Sequence, residues 1–299
     1  MDTINYGLAL AGGGTRGAAH VGVLAALEEE GLLPGKVAGA SAGSIVAGIY
    51  ASGLEISDMK DVIRWLDRRG LGFIDPNICG LLLCLPQLLL HEEVTITGLI
   101  KGNRLKRLFC DLTGGVDIAG TELKILIPAV DLKSGDTIVF TNMAEGRLPS
   151  SALRLEHVRW ETSGRLCDVM MASSSVPAIF SPQKIGDYCL VDGGVTNNLP
   201  VDLMIAAGEK NVIAVDIGTD YKMPHDHSIV EIASHSFSIM SRELKDCKSS
   251  GEILLLKPEL PSGAGLLTFD HMIGCMEAGY SYTKRMMPRI KKVLVKHGI

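Results

Sequence analysis

The sequence predicts an α/β fold: a single three-layer domain whose mostly parallel central sheet is covered by helices on both faces. Short apolar runs alternate with segments of helical periodicity from the first residues onward, the pattern of a parallel sheet wrapped by helices. Two of these runs end in glycine-rich turns at which a helix begins. Of the 299 residues, 46% are apolar, enough for a large core. No repeat or linker interrupts the pattern, so residues 1–299 read as one unit, with a catalytic core at about 5–203 and the part from 204 to 299 packed on it.

Residues 4 to 10, INYGLAL, form an apolar run that stops at Gly12-Gly13-Gly14, a buried strand feeding a turn. From Ala18 the apolar positions recur at three-and-four spacing and stop at Gly31, as in an amphipathic helix with a glycine terminator. A second strand, Lys36 to Ala40, runs into Ser41, and AGSIVAGIYASG behind it is small or apolar on most faces, a buried helix. Helical pattern returns at 56–69 and 103–112. The runs 123–132 and 136–140 read as strands joined at Lys133-Ser134-Gly135, a hairpin that adds to the sheet. Further strands are expected at 188–191 and 211–216, and helices at 201–207, 229–248 and 271–295. The polar stretch Ser150 to Gly164 reads as a surface excursion.

Composition narrows the function. Twenty-nine basic against 34 acidic side chains give a net charge of −5, without the basic excess that counterion release from nucleic acid requires. Seven cysteines without a CxxC pair suggest reduced thiols in a cytosol, so the expected location is cytoplasmic. The amino terminus has no positive stretch ahead of a long apolar run, so no secretory leader is expected. The apolar stretch NICGLLLCLPQLLL, residues 77–90, is short of the roughly 20 residues that span a bilayer, and Pro86 interrupts it. It reads either as a buried or partner-covered segment or as an apolar lid or interfacial patch beside a lipid site.

The loop AGGGTRG carries Gly12, Gly14 and Gly17 in GxGxxG spacing between a strand and a helix. One use of such a loop is dinucleotide binding without hydrolysis, which calls for an acidic residue at the end of the next strand. That strand ends instead in Gly39-Ala40-Ser41, and Glu28-Glu29-Glu30 belongs to the intervening helix. The other use is an oxyanion hole, in which the N–H groups of Gly12, Gly13 and Gly14 converge on developing negative charge. Each well-aimed donor is then worth about 2.7–4 kcal/mol in the transition state. Arg16 either reinforces that field or braces the loop.

Gly39-Ala40-Ser41-Ala42-Gly43 fits GxSxG between strand and helix, with Gly39 and Gly43 permitting a sharp turn that lifts the Ser41 hydroxyl clear. The positive end of the following helix favours negative charge there. A serine needs a base. Too few strands precede Ser41 for the usual α/β-hydrolase order. Asp192, at the end of an apolar strand and ahead of Gly193-Gly194, would meet Ser41 where α/β folds build their sites, beyond the carboxyl ends of strands. Partial burial would raise its basicity.

Four blocks together resemble the patatin-like phospholipase family, in particular its bacterial members: LALAGGGTRGAAHVGVL (8–24), GASAGSIVAGIYASG (39–53), ASSSVPAIFSP (172–182) and VDGGVTNNLP (191–200). The resemblance implies a Ser41–Asp192 catalytic dyad, an oxyanion hole from Gly12, Gly13 and Gly14 with Arg16 nearby, and serine lipid acyl hydrolase or esterase activity through an acyl-enzyme. It implies no metal or other cofactor, and a phospholipid, lysophospholipid or other fatty acyl ester as substrate; peripheral membrane contact is a further possibility that the basic residues of the last helix raise below. The third block is expected to line the site, with Pro177 shaping the approach, or simply to pack. The stretches around Ile78 to Leu90 and Leu155 to Arg165 depart from the shortest family pattern. His225-Asp226-His227 reads as a solvated loop, His20 and His271 as packed or capping residues, and Asp131 and Asp216 as structural. The basic residues Lys284, Arg285, Arg289, Lys291, Lys292 and Lys296 read as a solvated helix end, with a contact to anionic lipid as the alternative.

Overall fold

The computed structural model describes residues 3–78, 97–143, 148, 149, 152, 155–218, 229–248 and 251–299. Among the described residues nine strands form one sheet: β1 (Ile4–Leu10), β2 (Pro34–Gly39), β3 (Lys124–Asp131), β4 (Thr137–Thr141), β5 (Val158–Glu161), β6 (Gln183–Ile185), β7 (Tyr188–Asp192), β8 (Val212–Val215) and β9 (Leu254–Leu256). The helices are α1 (Ala18–Glu28), α2 (Ala42–Ala51), α3 (Ile56–Arg69), α4 (Asn103–Leu112), α5 (Leu166–Ser173), α6 (Val201–Ala206), α7 (Ile229–Lys248) and α8 (Met272–Lys296). The main path of the sheet runs β5-β4-β3-β2-β1-β8-β9, parallel except where β4 pairs antiparallel with β3. Helices cover both faces, giving a three-layer α/β architecture. The central strands β1 and β3 are buried over nearly their whole length, which is why they read as unbroken apolar runs.

One departure from a parallel sheet sets the position of the site. The strand β7 runs antiparallel to β3 and occupies the same edge of β3 as β2, further along. Ala38 of β2 lies opposite Leu126, and Asp192 of β7 lies opposite Ala129. Two strands therefore approach end to end along one ruler, and their carboxyl ends meet.

The elements that escape the sequence pattern are the short ones. Strand β5 falls inside the expected surface excursion 150–164; it is four residues long and pairs parallel with β4, burying Trp160. Strands β6 and β9 have three residues each, too few to show a period. Helix α5 is buried along most of its eight residues, so it has no polar face to give it away. The apolar stretch 77–90 lies, from residue 79 on, outside the described residues, as does His225-Asp226-His227.

Cysteine pairing corrects the expectation of reduced thiols for Cys110 and Cys167, while Cys189 and Cys275 are free. Helices α4 and α5 pack side by side and bring Cys110 and Cys167, 57 positions apart in sequence, to a Cα–Cα distance of 4.9 Å, where they form a disulfide. Cysteine spacing along the chain carries no trace of this, because helix packing creates the pair. Closing a loop of that length restricts the unfolded chain, so Cys110→Ser with Cys167→Ser is expected to cost about 2–4 kcal/mol. Urea unfolding of the oxidised protein measures this. An unchanged midpoint would mean that the bridge adds nothing.

Helix α8 packs on α1. Lys284 reaches Glu29 (3.2 Å) and Glu30 (2.8 Å) at the end of α1, and Lys291 reaches Glu30 (2.7 Å). Part of the basic set thus answers the acidic run that ends α1 and supports the reading of a solvated, structural helix end. Among the described residues no helix is long and apolar enough to cross a membrane.

Candidate active site

Ser41 sits between β2 and α2 with φ 50° and ψ −124°, a left-handed conformation in a residue other than glycine. Such a conformation costs about 1–3 kcal/mol and persists where the surroundings enforce it. They do so here by close approach. A Cβ on Gly39 would lie 2.2 Å from the Gly43 carbonyl oxygen, and one on Gly43 would lie 2.2 Å from that of Leu10. Both glycines of the GxSxG turn are therefore required by space.

A run of serines at the end of α5 holds the turn. The Ser41 N–H donates to Ser173 Oγ (3.2 Å), and Ser173 Oγ–H donates to the Pro128 carbonyl on β3 (2.7 Å). The Ser41 carbonyl accepts from the hydroxyls of Ser44 (2.6 Å) and Ser174 (3.2 Å). Next in line, the Ser175 carbonyl accepts the Asp192 N–H (2.9 Å). The block 172–182 thus ties both candidate residues to one helix end. Sequence reasoning gave it lining or packing; the available signal was three successive hydroxyls behind an apolar helix.

Asp192 is fully buried at the end of β7. Its Oδ1 accepts the Gly194 N–H at 2.7 Å, while Oδ2 is buried with no hydrogen-bond partner among the described residues. Burial pushes its carboxyl up to about 7, with the Ser41 hydroxyl and the Gly194 N–H pulling the other way. The hydroxyl is thus near enough to act on the carboxylate, although no closed hydrogen bond joins them. A carboxylate that binds a proton half the time near neutrality is suited to take one and return it.

One of the three N–H groups expected of the glycine loop is already committed: that of Gly12 donates to the Asn198 carbonyl at 3.0 Å. The N–H groups of Gly13 and Gly14 have no partner among the described residues. Gly14 has φ 62°, which glycine tolerates without strain. Arg16 donates from Nε to the Gly13 carbonyl at 2.9 Å, which makes it a brace of the loop. Behind the loop, buried His20 donates from Nε2 to the Ala11 carbonyl (2.8 Å), and burial lowers its ring to about 4, so it stays neutral. Asn198 escaped the sequence reading, hidden in the turn-like run TNNLP.

The remaining candidates are structural. Asp131 accepts N–H groups from Ser134 and Cys189, Asp216 accepts from Gly218 and lies 3.7 Å from Lys257, and His271 occupies the cap position of α8.

A cavity of about 140 Å³ opens at Ser41. Its walls come from α2 (Ile45, Ile49), α3 (Met59, Ile63), α4 (Leu108, Phe109) and the segment ahead of α8 (Leu266, Phe269). Thr15, Ser41 and Ser174 supply the polar side chains of the lining, and among the described residues no charged side chain contributes. A lining of this kind suits apolar matter and offers a charge no partner.

An uncharacterized NTE family protein of Mycobacterium tuberculosis is 30% identical over 213 residues, which is 71% of this chain and 30% of that protein. Lysophospholipase NTE1 of Candida albicans is 27% identical over 71% of this chain and 13% of its own length. The chain thus spans less than a third of the length of these relatives. Among solved structures, VipD from Legionella pneumophila aligns with a TM-score of 0.49 at 15% identity, covering 95% of this chain and 67% of that one. The family model for patatin-like phospholipases matches residues 8–205, a stretch that holds the glycine loop, Ser41 and Asp192, and the chain belongs to that family.

Proposed function

We propose that the protein is a serine acyl hydrolase of lipid esters in which Ser41 is the nucleophile and Asp192 the base. The observation that carries this reading is the strained Ser41 at the head of an uncharged apolar cavity, beside a buried carboxylate with one free oxygen. Asp192 takes the Ser41 proton as Oγ attacks the ester carbonyl, and the N–H groups of Gly13 and Gly14 receive the charge that gathers on the carbonyl oxygen. Collapse of the intermediate breaks the acyl–oxygen bond, and the proton on Asp192 passes to the departing alcohol. Water then enters, gives its proton to Asp192 and releases the fatty acid, which restores the Ser41 hydroxyl.

The acyl chain lies in the cavity during both steps, and the headgroup side stays outside because the walls offer a charge no partner. Lysophospholipid and phospholipid are the leading substrates. The name of the Candida relative supports the first of these. A lipid substrate also brings the protein to a lipid surface, at least transiently.

Covalent capture tests the assignment. An alkyl fluorophosphonate is expected to label the protein once per chain, and peptide mapping is expected to find the adduct on Ser41. Saturable binding of a dinucleotide without any capture would favour the nucleotide reading of the glycine loop and end this one.

A further inference from the structure

We infer that the surface formed by the end of α3, the turn 70–78 and the first turns of α4 is the face with which the protein docks on a lipid bilayer bearing anionic headgroups. The inference rests on the proposed reading of the cavity as a site for lipid esters. Three observations support it.

The first is apolar exposure. Trp65 on α3 is 40% exposed, and Leu71 and Ile78 on the turn are 71% and 58% exposed. Contacts tie them into one surface. The Trp65 and Phe73 rings meet edge to face at 5.0 Å, Arg104 of α4 donates to the Gly72 carbonyl at 2.9 Å, and the Asn77 N–H donates to the Leu99 carbonyl at 2.8 Å, just ahead of α4. Large apolar side chains gathered in this way mark contact with something less polar than water, and an indole favours the boundary between headgroups and acyl chains.

The second is charge. Residues 61–78 and 101–107 carry seven basic against three acidic side chains, in a chain whose net charge is −5. Arg64, Arg68, Arg69, Arg104 and Arg107 are all exposed. Arg64 pairs with Asp61, while Arg68, Arg69 and Arg107 have no ion pair among the described residues. The carboxylates of Asp67 and Asp75 are turned to backbone N–H groups, that of Ile273 for the first and those of Gly102 and Asn103 for the second. Apolar side chains rimmed by arginines match the layering of an anionic bilayer, in which phosphates lie above acyl chains. The basic set of α8 matches it less well, because Glu29 and Glu30 hold Lys284 and Lys291.

The third is continuity with the cavity. Helix α3 gives Ile63 and Leu66 to the cavity wall and leaves Trp65 and Arg68 exposed; α4 gives Leu105 and Leu108 and leaves Arg104 and Arg107 exposed. Gly70 packs on the wall residue Phe269, so closely that a Cβ there would lie 2.0 Å from its ring. A bilayer seated on this face is therefore separated from the cavity by the wall elements alone.

Vesicles of ether-linked lipids, which offer no ester to cleave, test the inference. One set is phosphatidylcholine alone and the other adds phosphatidylglycerol. The wild-type protein is expected to co-sediment with the mixed vesicles, less so at high salt. Its tryptophan emission is expected to shift to the blue on binding, and Trp65→Phe is expected to lose that shift, because Trp160 is already buried. Arg68→Gln with Arg69→Gln is expected to weaken binding roughly 25-fold, at about fivefold per arginine. Leu71→Ser is expected to weaken it about tenfold. Melting temperatures are expected to hold in all of these. Lys292→Gln with Lys296→Gln on α8 is expected to bind as the wild type does. Sedimentation with neither vesicle, equal binding to both, or loss in the α8 variant with none in the α3 variant would each overturn the inference. So would a blue shift of Trp65 on self-association without vesicles, which would make a second copy of the chain the occupant. A protein that binds the mixed vesicles through this face but hydrolyses no ester and captures no fluorophosphonate would instead defeat the reading of the cavity, so the two failures are told apart.

Discussion

Ester hydrolysis by Ser41→Ala is expected to fall by at least about 10³-fold, the loss typical when a nucleophile is removed and oxyanion donors and binding remain. The fold has little reason to change. The turn is held by backbone contacts of Ser41 to Ser173, Ser44 and Ser174, and all of them survive loss of the hydroxyl. A melting temperature close to that of the wild type is therefore expected, with stability altered by less than about 1 kcal/mol. The measurement is steady-state hydrolysis of p-nitrophenyl butyrate with a thermal melt on the same preparation. A folded alanine variant with more than a tenth of wild-type turnover would refute the nucleophile assignment.

Asp192→Asn is expected to reduce kcat by about 10³-fold or more, because the amide keeps the shape and cannot accept the proton. Its pH behaviour is the sharper test. The base works when ionised, so wild-type kcat/KM is expected to rise with pH through about 7 and level off above it, while the residual rate of Asp192→Asn stays flat over that range. Stability runs the opposite way. The folded carboxyl holds its proton more tightly than the usual carboxyl near 3.8, so the contribution from this group is full below about 4 and is lost as pH rises through about 7. The difference between the two limits is about 4 kcal/mol. Urea unfolding at pH 5 and pH 8 should show about 3 kcal/mol of this loss in the wild type and none in Asp192→Asn, which should be the more stable of the two at pH 8. A wild-type kcat/KM that does not change between pH 5 and 9 would contradict the burial that defines the base.

Much of this was legible from residue patterns because long elements carry long periods. Strand β1, helix α1 and the pair β3–β4 showed themselves through apolar runs, three-and-four spacing and a turn signal, and helices α3, α4 and α7 match their expected spans. The strand–serine–helix turn was legible as well, since GxSxG is a local steric requirement. What escaped was created by packing. Cys110 and Cys167 are neighbours because α4 lies beside α5, and Ser173 to Ser175 matter because α5 ends between Ser41 and Asp192. The commitment of the Gly12 N–H to Asn198 joins positions far apart in sequence, so a local reading counted that donor as free. The meeting of Ser41 and Asp192 was expected from parallel strands. It arises instead from an antiparallel hairpin arm, β7, that comes down to meet β2.

That arrangement makes β3 a gauge for the chemistry. The proposed nucleophile hangs from one graduation and the proposed base from another, and the interval from Leu126 to Ala129 sets their separation. Deleting a single residue inside this interval would draw the two together by roughly 3.3 Å and turn the inward side chains of one half outward. Catalysis by the proposed pair is therefore expected to tolerate drift in the outer loops far better than a change of length between Leu126 and Ala129.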